Sequence, residues 1–251
     1  MLTQSRDGAI AILTLDYPER RNALAMPMRR ALVEALETIE GDTAIRAAIV
    51  TGAGGTFCAG GDISGMDVTD LAQGRERFRL THALVRQLIK LRIPVLAAVE
   101  GYCVGAGLSL ALCCDTIIAA EGARFAAGFG RVGLIADLGL LHTLPARIGQ
   151  GRARQFFLYG EQMPAPEAER IGLVDRLVPK GQALPAAIDR ARAFESAAPL
   201  PLALTKQFLA AGLDASLDQE RELQSTLFLT ADHAEGKAAF LAKRAPNFTG
   251  R

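Results

Sequence analysis

The chain has 251 residues, half of them hydrophobic, which is enough to bury one full-sized core and excludes a disordered protein. Lysine and arginine number 28 against 27 for aspartate and glutamate, so no general field exists to attract nucleic acid or an anionic membrane. Its longest uncharged stretches, such as Val104 to Cys114, fall well short of the roughly 20 apolar residues that span a bilayer.

The opening run MLTQSRDGAIAILTL places Arg6 and Asp7 ahead of a short alternating apolar segment, unlike a secretion signal, and the expected compartment is the cytoplasm. Apolar runs predict strands at Ile10 to Leu15, Ala47 to Thr51 and Val95 to Val99. Between them, helical spacing predicts helices near Met28 to Glu40 and over Leu71 to Leu91. This rhythm indicates an α/β class. In the second helix Phe78, Val85 and Ile89 share one face, with Arg75, Glu76, Arg79, Arg86 and Lys90 on the others. His82 reads as a partly buried packing histidine, with a pocket-lining role as the alternative. From about Arg152 helical signals dominate, at Ala165 to Ile171, Ala183 to Ala197, Leu202 to Ala211 and Leu217 to Leu229, with Pro199 and Pro201 as punctuation. They read as a helical C-terminal appendage. The four cysteines, Cys58, Cys103, Cys113 and Cys114, lie in apolar or glycine-rich surroundings without zinc-ligand spacing or an activating histidine, and are expected to be reduced packing residues.

Two glycine-rich segments carry the chemical signal. Thr51-Gly52-Ala53-Gly54-Gly55-Thr56-Phe57-Cys58-Ala59-Gly60-Gly61-Asp62-Ile63 follows an apolar strand and lets a ligand approach the backbone. It lacks the lysine and Ser/Thr ending of a phosphate-cradling loop. The second, Pro94 through Asp115, runs from a strand into the turn Gly101 to Gly107 and then an uncharged helix, whose free first amides could hold an oxyanion. It lacks the third glycine and the downstream acid of a dinucleotide turn.

Phe57-Cys58-Ala59-Gly60-Gly61-Asp62-Ile63 resembles the F-C-A-G-A-D-I signature of the enoyl-CoA hydratase/isomerase (crotonase) family, and Gly101 to Asp115 resembles its G-Y-A-x-G-G-G-x-E-L-A-x-x-C-D segment. Arg21-Asn22-Ala23-Leu24, Leu144 to Gly149 and Phe240 to Phe248 also match, so the resemblance spans essentially the whole chain. It implies a spiral of ββα repeats over residues 1–195 and a helical oligomerisation and CoA-covering region over 196–251, assembled as a homotrimer or a dimer of trimers. It implies that the Gly61 and Ala106 amides form an oxyanion hole for a thioester carbonyl. It implies that CoA packs near Arg21, Ala23, Ala59 and Gly61, with Phe240 and Lys243 arriving from a neighbouring subunit. It implies an acyl-CoA as the substrate, and no metal or redox cofactor is indicated.

The hydratases of the family use two glutamates to activate water. At those motif positions this chain has Ser109 and Phe129, and neither is a competent base on its own. The stretch Gly133-Leu134-Ile135-Ala136-Asp137-Leu138-Gly139 instead resembles the isomerase pattern of the dienoyl-CoA and ring-1,2-epoxyphenylacetyl-CoA isomerase subgroup, in which this aspartate transfers a proton. Asp137 is therefore expected to be the proton-transfer residue, walled by Leu134, Leu138 and Phe129, with a helix N-cap as the competing reading. Ser109, Phe129, Leu134 and Met66 are expected to line the pocket. Asp62 reads as structural, and His142 is unassigned. The leading expectation is an enoyl-CoA isomerase; hydration, another enolate reaction or a silent acyl-CoA-binding homologue are the alternatives.

Overall fold

The computed structural model describes residues 1–251. Nine strands run β1 (Leu2–Asp7), β2 (Ile10–Leu15), β3 (Ala47–Gly52), β4 (Val95–Val99), β5 (Tyr102–Val104), β6 (Thr116–Ala120), β7 (Arg124–Ala126), β8 (Met163–Pro164) and β9 (Arg176–Val178). Ten helices run α1 (Met26–Gly41), α2 (Leu71–Lys90), α3 (Ala106–Leu112), α4 (Leu140–Ile148), α5 (Gln150–Tyr159), α6 (Ala165–Arg170), α7 (Ala183–Ala191), α8 (Pro199–Leu209), α9 (Leu213–Leu227) and α10 (Ala231–Leu241).

The main sheet has the order β1-β2-β3-β4-β6-β9, with β1 antiparallel to β2 and every other pairing parallel. Its inner strands β3 and β4 are apolar and buried along almost their whole length, as parallel strands covered on both faces must be. Side chains alternate between two packings. Ile10, Ile12, Ala47, Ile49, Leu96, Ala98 and Ile118 meet Ala183, Ala187 and Ala191 of α7. Leu13, Ala48, Val50, Val95, Ala97 and Ile117 face the larger core with α1, α2, α3 and α4. A second, small sheet, β5-β7-β8, stands at the end of the first.

The strands expected at Ile10, Ala47 and Val95 form almost as read, as does the helix from Leu71, which is started by Asp70 accepting the Gln73 N–H at 2.9 Å. The α-helix expected over Ala183 to Ala197 ends at Ala191 and tightens to a 3-10 turn at Arg192–Phe194. The helix placed at Leu202 starts at Pro199, because proline lacks only an amide that a first turn leaves unbonded anyway. The region after Arg152 is not wholly an appendage: β9 extends the main sheet and α7 covers its face. All four cysteines are free and buried, and burial pushes the Cys58 thiol up to about 11.

The functional consequence lies in where the strands end. The loop after β3 carries residues 53–62, β4 leads through Gly101 and β5 into α3, and β6 leads through β7 to Gly128. All three leave the carboxyl ends of adjacent parallel strands, the place where open α/β sheets build their crevices.

Candidate active site

The segment Arg21–Leu24 is pinned beside the first glycine-rich loop. Asn22 is fully buried in a left-handed conformation (φ 58°), and its side-chain amide donates to the carbonyls of Ala53 and Thr56 at 2.9 and 2.7 Å. The Leu24 N–H donates to Gly60 and the Ala59 N–H to Arg21. The second loop is hydrogen-bonded to the first through main chain, Cys58 N–H to Tyr102 and Val104 N–H to Cys58, so that Cys58 and Cys103 pair as an isolated parallel bridge. Gly105, at φ 54° and ψ −123°, turns the chain into α3. That conformation is open to glycine and strained for other residues.

The turn leaves the Ala106 N–H at the start of α3 without an acceptor, and the Gly61 N–H also finds none within the protein. Both residues line one cavity of about 260 Å³, together with Ala59, Met66, Phe129, Leu134, Asp137 and Phe240. Two free amides in a mostly apolar pocket can hold an oxygen that becomes negative. Asp137 is the single carboxylate in the lining. It is 5 % exposed, and its Oδ1 is buried with no hydrogen-bond partner. Burial pushes its carboxyl up to about 6, with Arg29 pulling the other way. A base in that range is poised for proton transfer near neutral pH.

The capping alternative for Asp137 fails. Helix α4 begins at Leu140 behind Gly139, and no side chain caps it. Asp137 stands on a turn in which Leu138 and Gly139 are both left-handed, at φ 52° and 73°. For Leu138 this costs about 1–2 kcal/mol, so the surroundings must enforce it.

Several expected site residues lie elsewhere. Ser109 is fully buried with its hydroxyl turned to the Gly105 carbonyl at 3.3 Å, and does not line the cavity. Its place in the first turns of α3 points it back at the preceding turn. Arg21, Ala23 and Lys243 are also outside the cavity: Arg21 is exposed with its guanidinium over the Tyr102 ring, and Lys243 is exposed after α10. Phe240 lines the cavity of its own chain, where the resemblance implied a neighbouring subunit. It is brought there because α10 packs on this chain, with His233 Nδ1 at 2.8 Å from the Val132 carbonyl and Lys237 donating to the Met66 carbonyl at 3.3 Å. His82 is buried and bonded to Glu220, away from the cavity, and Asp62 accepts from the Ser64 amide and hydroxyl, as a structural loop residue does. His142 is half-buried, near Gly212.

Sequence reasoning missed Arg131 and Gln162, which supply most of the other polar lining, and Arg29, which lies fully buried behind Gly61. Nothing in their sequence surroundings marks them. Arg29 looks like one more charge on an amphipathic helix, yet its guanidinium bonds the Leu24 carbonyl and the Thr81 hydroxyl at 3.1 and 2.6 Å. No group of three or more histidine, cysteine or acidic side chains is placed to hold a metal ion.

A raised carboxyl pKa also carries a stability cost. A carboxyl at about 6 in the fold and 3.8 otherwise leaves the protein unpenalised below the lower value and penalised as pH rises through the upper. Asp137→Asn is therefore expected to melt higher than the wild type at pH 8, by up to about 3 kcal/mol, and level with it at pH 4. Thermal melts at the two pH values measure the difference; an equal gap at both would show that ionisation of Asp137 is not strained.

The family model for enoyl-CoA hydratase/isomerase matches residues 5–251. The chain is 39% identical to the 1,2-epoxyphenylacetyl-CoA isomerase of Escherichia coli K12, covering 98% of this chain and 97% of that protein. It is 37% identical to the 2,3-dehydroadipyl-CoA hydratase of the same organism, over 100% and 99% of the two chains. Among solved structures, an enoyl-CoA hydratase from Mycobacterium avium subsp. paratuberculosis K-10 superposes with a TM-score of 0.89 at 31% identity, covering 99% of this chain and 98% of that one.

Proposed function

The chain belongs to the enoyl-CoA hydratase/isomerase family, and from that premise we propose that it is an enoyl-CoA isomerase, shifting a double bond within an acyl-CoA by proton transfer through Asp137. Asp137 takes a proton from the carbon activated by the thioester and its unsaturation. The Gly61 and Ala106 amides hold the enolate oxygen, and the proton returns at a different carbon. These donors act on charge that grows only toward the transition state, so they lower the barrier rather than merely tighten binding.

The observation that carries this reading is that the cavity holds one carboxylate. Activation of water by a glutamate pair needs two, and here one motif position is the apolar Phe129 in the lining and the other is Ser109, bonded to its own helix turn. Nothing in a proton shuttle between two carbons requires a metal or redox cofactor. Arg21 and Lys243, exposed cations, with Ala23 beside the first loop and Ala59 within it, suit the CoA phosphates and pantetheine, and Phe240 adds an apolar wall to the same chain's site. In this reading the enzyme works in the cytoplasm as a homotrimer or a dimer of trimers.

The test incubates purified protein with matched 2-enoyl-CoA and 3-enoyl-CoA and separates products by chromatography with mass detection. Interconversion at unchanged mass is expected. Gain of one water would make the protein a hydratase and end this mechanism. Binding of both substrates with no change in either would leave a specialised ring or epoxide substrate, or a binding protein, in its place.

A further inference from the structure

The turn that presents Asp137 is held from the far side by helix α9. Glu220 Oε2 accepts the Gly139 N–H at 2.8 Å, and its other oxygen is bonded to His82 Nε2 at 2.9 Å. Four residues further along the same helix, Gln224 donates to the Ile135 carbonyl at 3.0 Å and accepts the Ile135 N–H at 3.1 Å. Residues 220 and 224 share one face of a helix, so α9 grips both ends of the loop Ile135–Gly139. Glu220 is 1 % exposed and Gln224 fully buried, and neither lines the cavity. A buried carboxyl group is costly to charge, and here its two oxygens are met by the Gly139 amide and His82.

We propose that Glu220 is a positioning residue for Asp137: anchored by His82, its carboxyl group locks the left-handed Leu138–Gly139 turn so that the Asp137 carboxylate faces the bound acyl group, with Gln224 fixing the other end of the loop. The proposal rests on Asp137 being the proton-transfer group. The left-handed Leu138 supplies the reason for such a lock. Without an acceptor for the Gly139 amide, the turn can relax toward ordinary backbone angles and swing Asp137 away from the two free amides.

The lock also couples two acids. The charged and titratable groups facing Glu220 are Arg29 from α1, His82 from α2, Cys113 at the end of α3 and Asp137 itself, with Arg86, Asp218 and Arg221 around His82. Burial pushes Glu220 up to about 8, against the Gly139 and Leu138 amides that pull it down, while burial holds His82 down at about 4 and neutral. Two carboxyls so placed titrate as a pair, the first ionisation making the base and the second tightening the grip on the turn.

The experiment measures kcat and KM against pH for the wild type, Glu220→Gln, Glu220→Ala and Asp137→Asn, with thermal melts to confirm folding. Glu220→Ala is expected to lower kcat by about 100-fold with KM little changed, the signature of misplaced catalytic geometry. Glu220→Gln keeps an oxygen for the Gly139 amide and is expected to regain at least about tenfold of that loss. The wild-type kcat should rise with pH in two steps, near about 6 and about 8, and Glu220→Gln should show one. If Glu220→Ala does not fold, the near-isosteric Glu220→Gln carries the test through its pH profile. A wild-type kcat in folded Glu220→Ala beside an inactive Asp137→Asn overturns the lock and leaves the functional reading standing. Two steps retained in Glu220→Gln, or a KM rise equal to the kcat loss, overturn it as well. Full turnover in Asp137→Asn removes the functional reading, and the lock with it.

Discussion

Asp137→Asn is expected to lower kcat for interconversion of 2- and 3-enoyl-CoA by about 10³-fold while leaving acyl-CoA affinity nearly unchanged. The substitution conserves shape and removes the one carboxylate in the cavity lining, and positioned general bases contribute about 10² to 10⁴ in rate. The upper part of that range applies because the carboxyl is buried in a mostly apolar lining, which raises its basicity toward neutral pH. Rate above the uncatalysed reaction should persist in the variant, since the Gly61 and Ala106 amides still stabilise an enolate. Wild-type kcat should climb with pH through about 6, the range to which burial pushes Asp137. Steady-state kinetics with calorimetric binding decides the matter: more than a tenth of the wild-type kcat in the variant would take Asp137 out of the mechanism.

Gly107→Ala is the second large effect, and its sign comes from a contest. Within a helix, alanine normally stabilises relative to glycine by about 1 kcal/mol. At Gly107 in α3 an added Cβ would sit 2.8 Å from the Cys58 Cβ and 3.0 Å from its carbonyl carbon, closer still to its carbonyl oxygen. Backbone cannot swing aside as a flexible side chain does. Overpacking typically costs about 1–3 kcal/mol, and relief here requires pushing the first glycine-rich loop away from the second. The helix gain is therefore overwhelmed, and Gly107→Ala should lower the melting temperature and reduce turnover at least about tenfold, because the Gly61 and Ala106 amides are carried on the two parts being separated. Gly122→Ala, with nothing within 4 Å of its added carbon, is the control and should behave as wild type. Equal melting temperatures and rates for the two variants would mean that the loops are not in rigid contact.

The contrast between Asp137 and Glu220 shows what could be read before the fold was known. Asp137 stands four residues past a glycine in a local motif, and Gly61 and Ala106 sit in glycine-rich stretches beside apolar strands, so their chemistry is written in neighbouring letters. The strands at Ile10, Ala47 and Val95 were legible for the same reason, as continuous apolar runs. Glu220 lies 83 residues beyond Asp137 on a helix whose charges look solvated, and its burial exists only because α9 packs on α2 beside His82. Ser109 was misplaced because a motif position identifies an equivalent residue but not its rotamer; its hydroxyl bonds Gly105 in the preceding turn. That Phe240 reaches its own chain's cavity depends on surface contacts of a C-terminal helix, here those of His233 and Lys237, that no local pattern encodes. The short strands β5, β7, β8 and β9 have two or three residues each, too few for periodicity to register.

The two amides that face the cavity belong to the main chain, and this divides the site into parts with different capacities to diverge. A point mutation at position 61 or 106 changes a side chain and leaves the N–H in place unless it introduces proline, which is how an alanine can stand where the family usually has glycine. In the proposed mechanism the groups that select the reaction, Asp137 and Phe129, are side chains, each exchangeable by a single codon. The enolate's donors therefore outlast a change of side chain at either of their own positions, whereas the proton-handling chemistry above them can be rewritten one residue at a time, and a lineage can change its reaction without first losing its hold on the thioester.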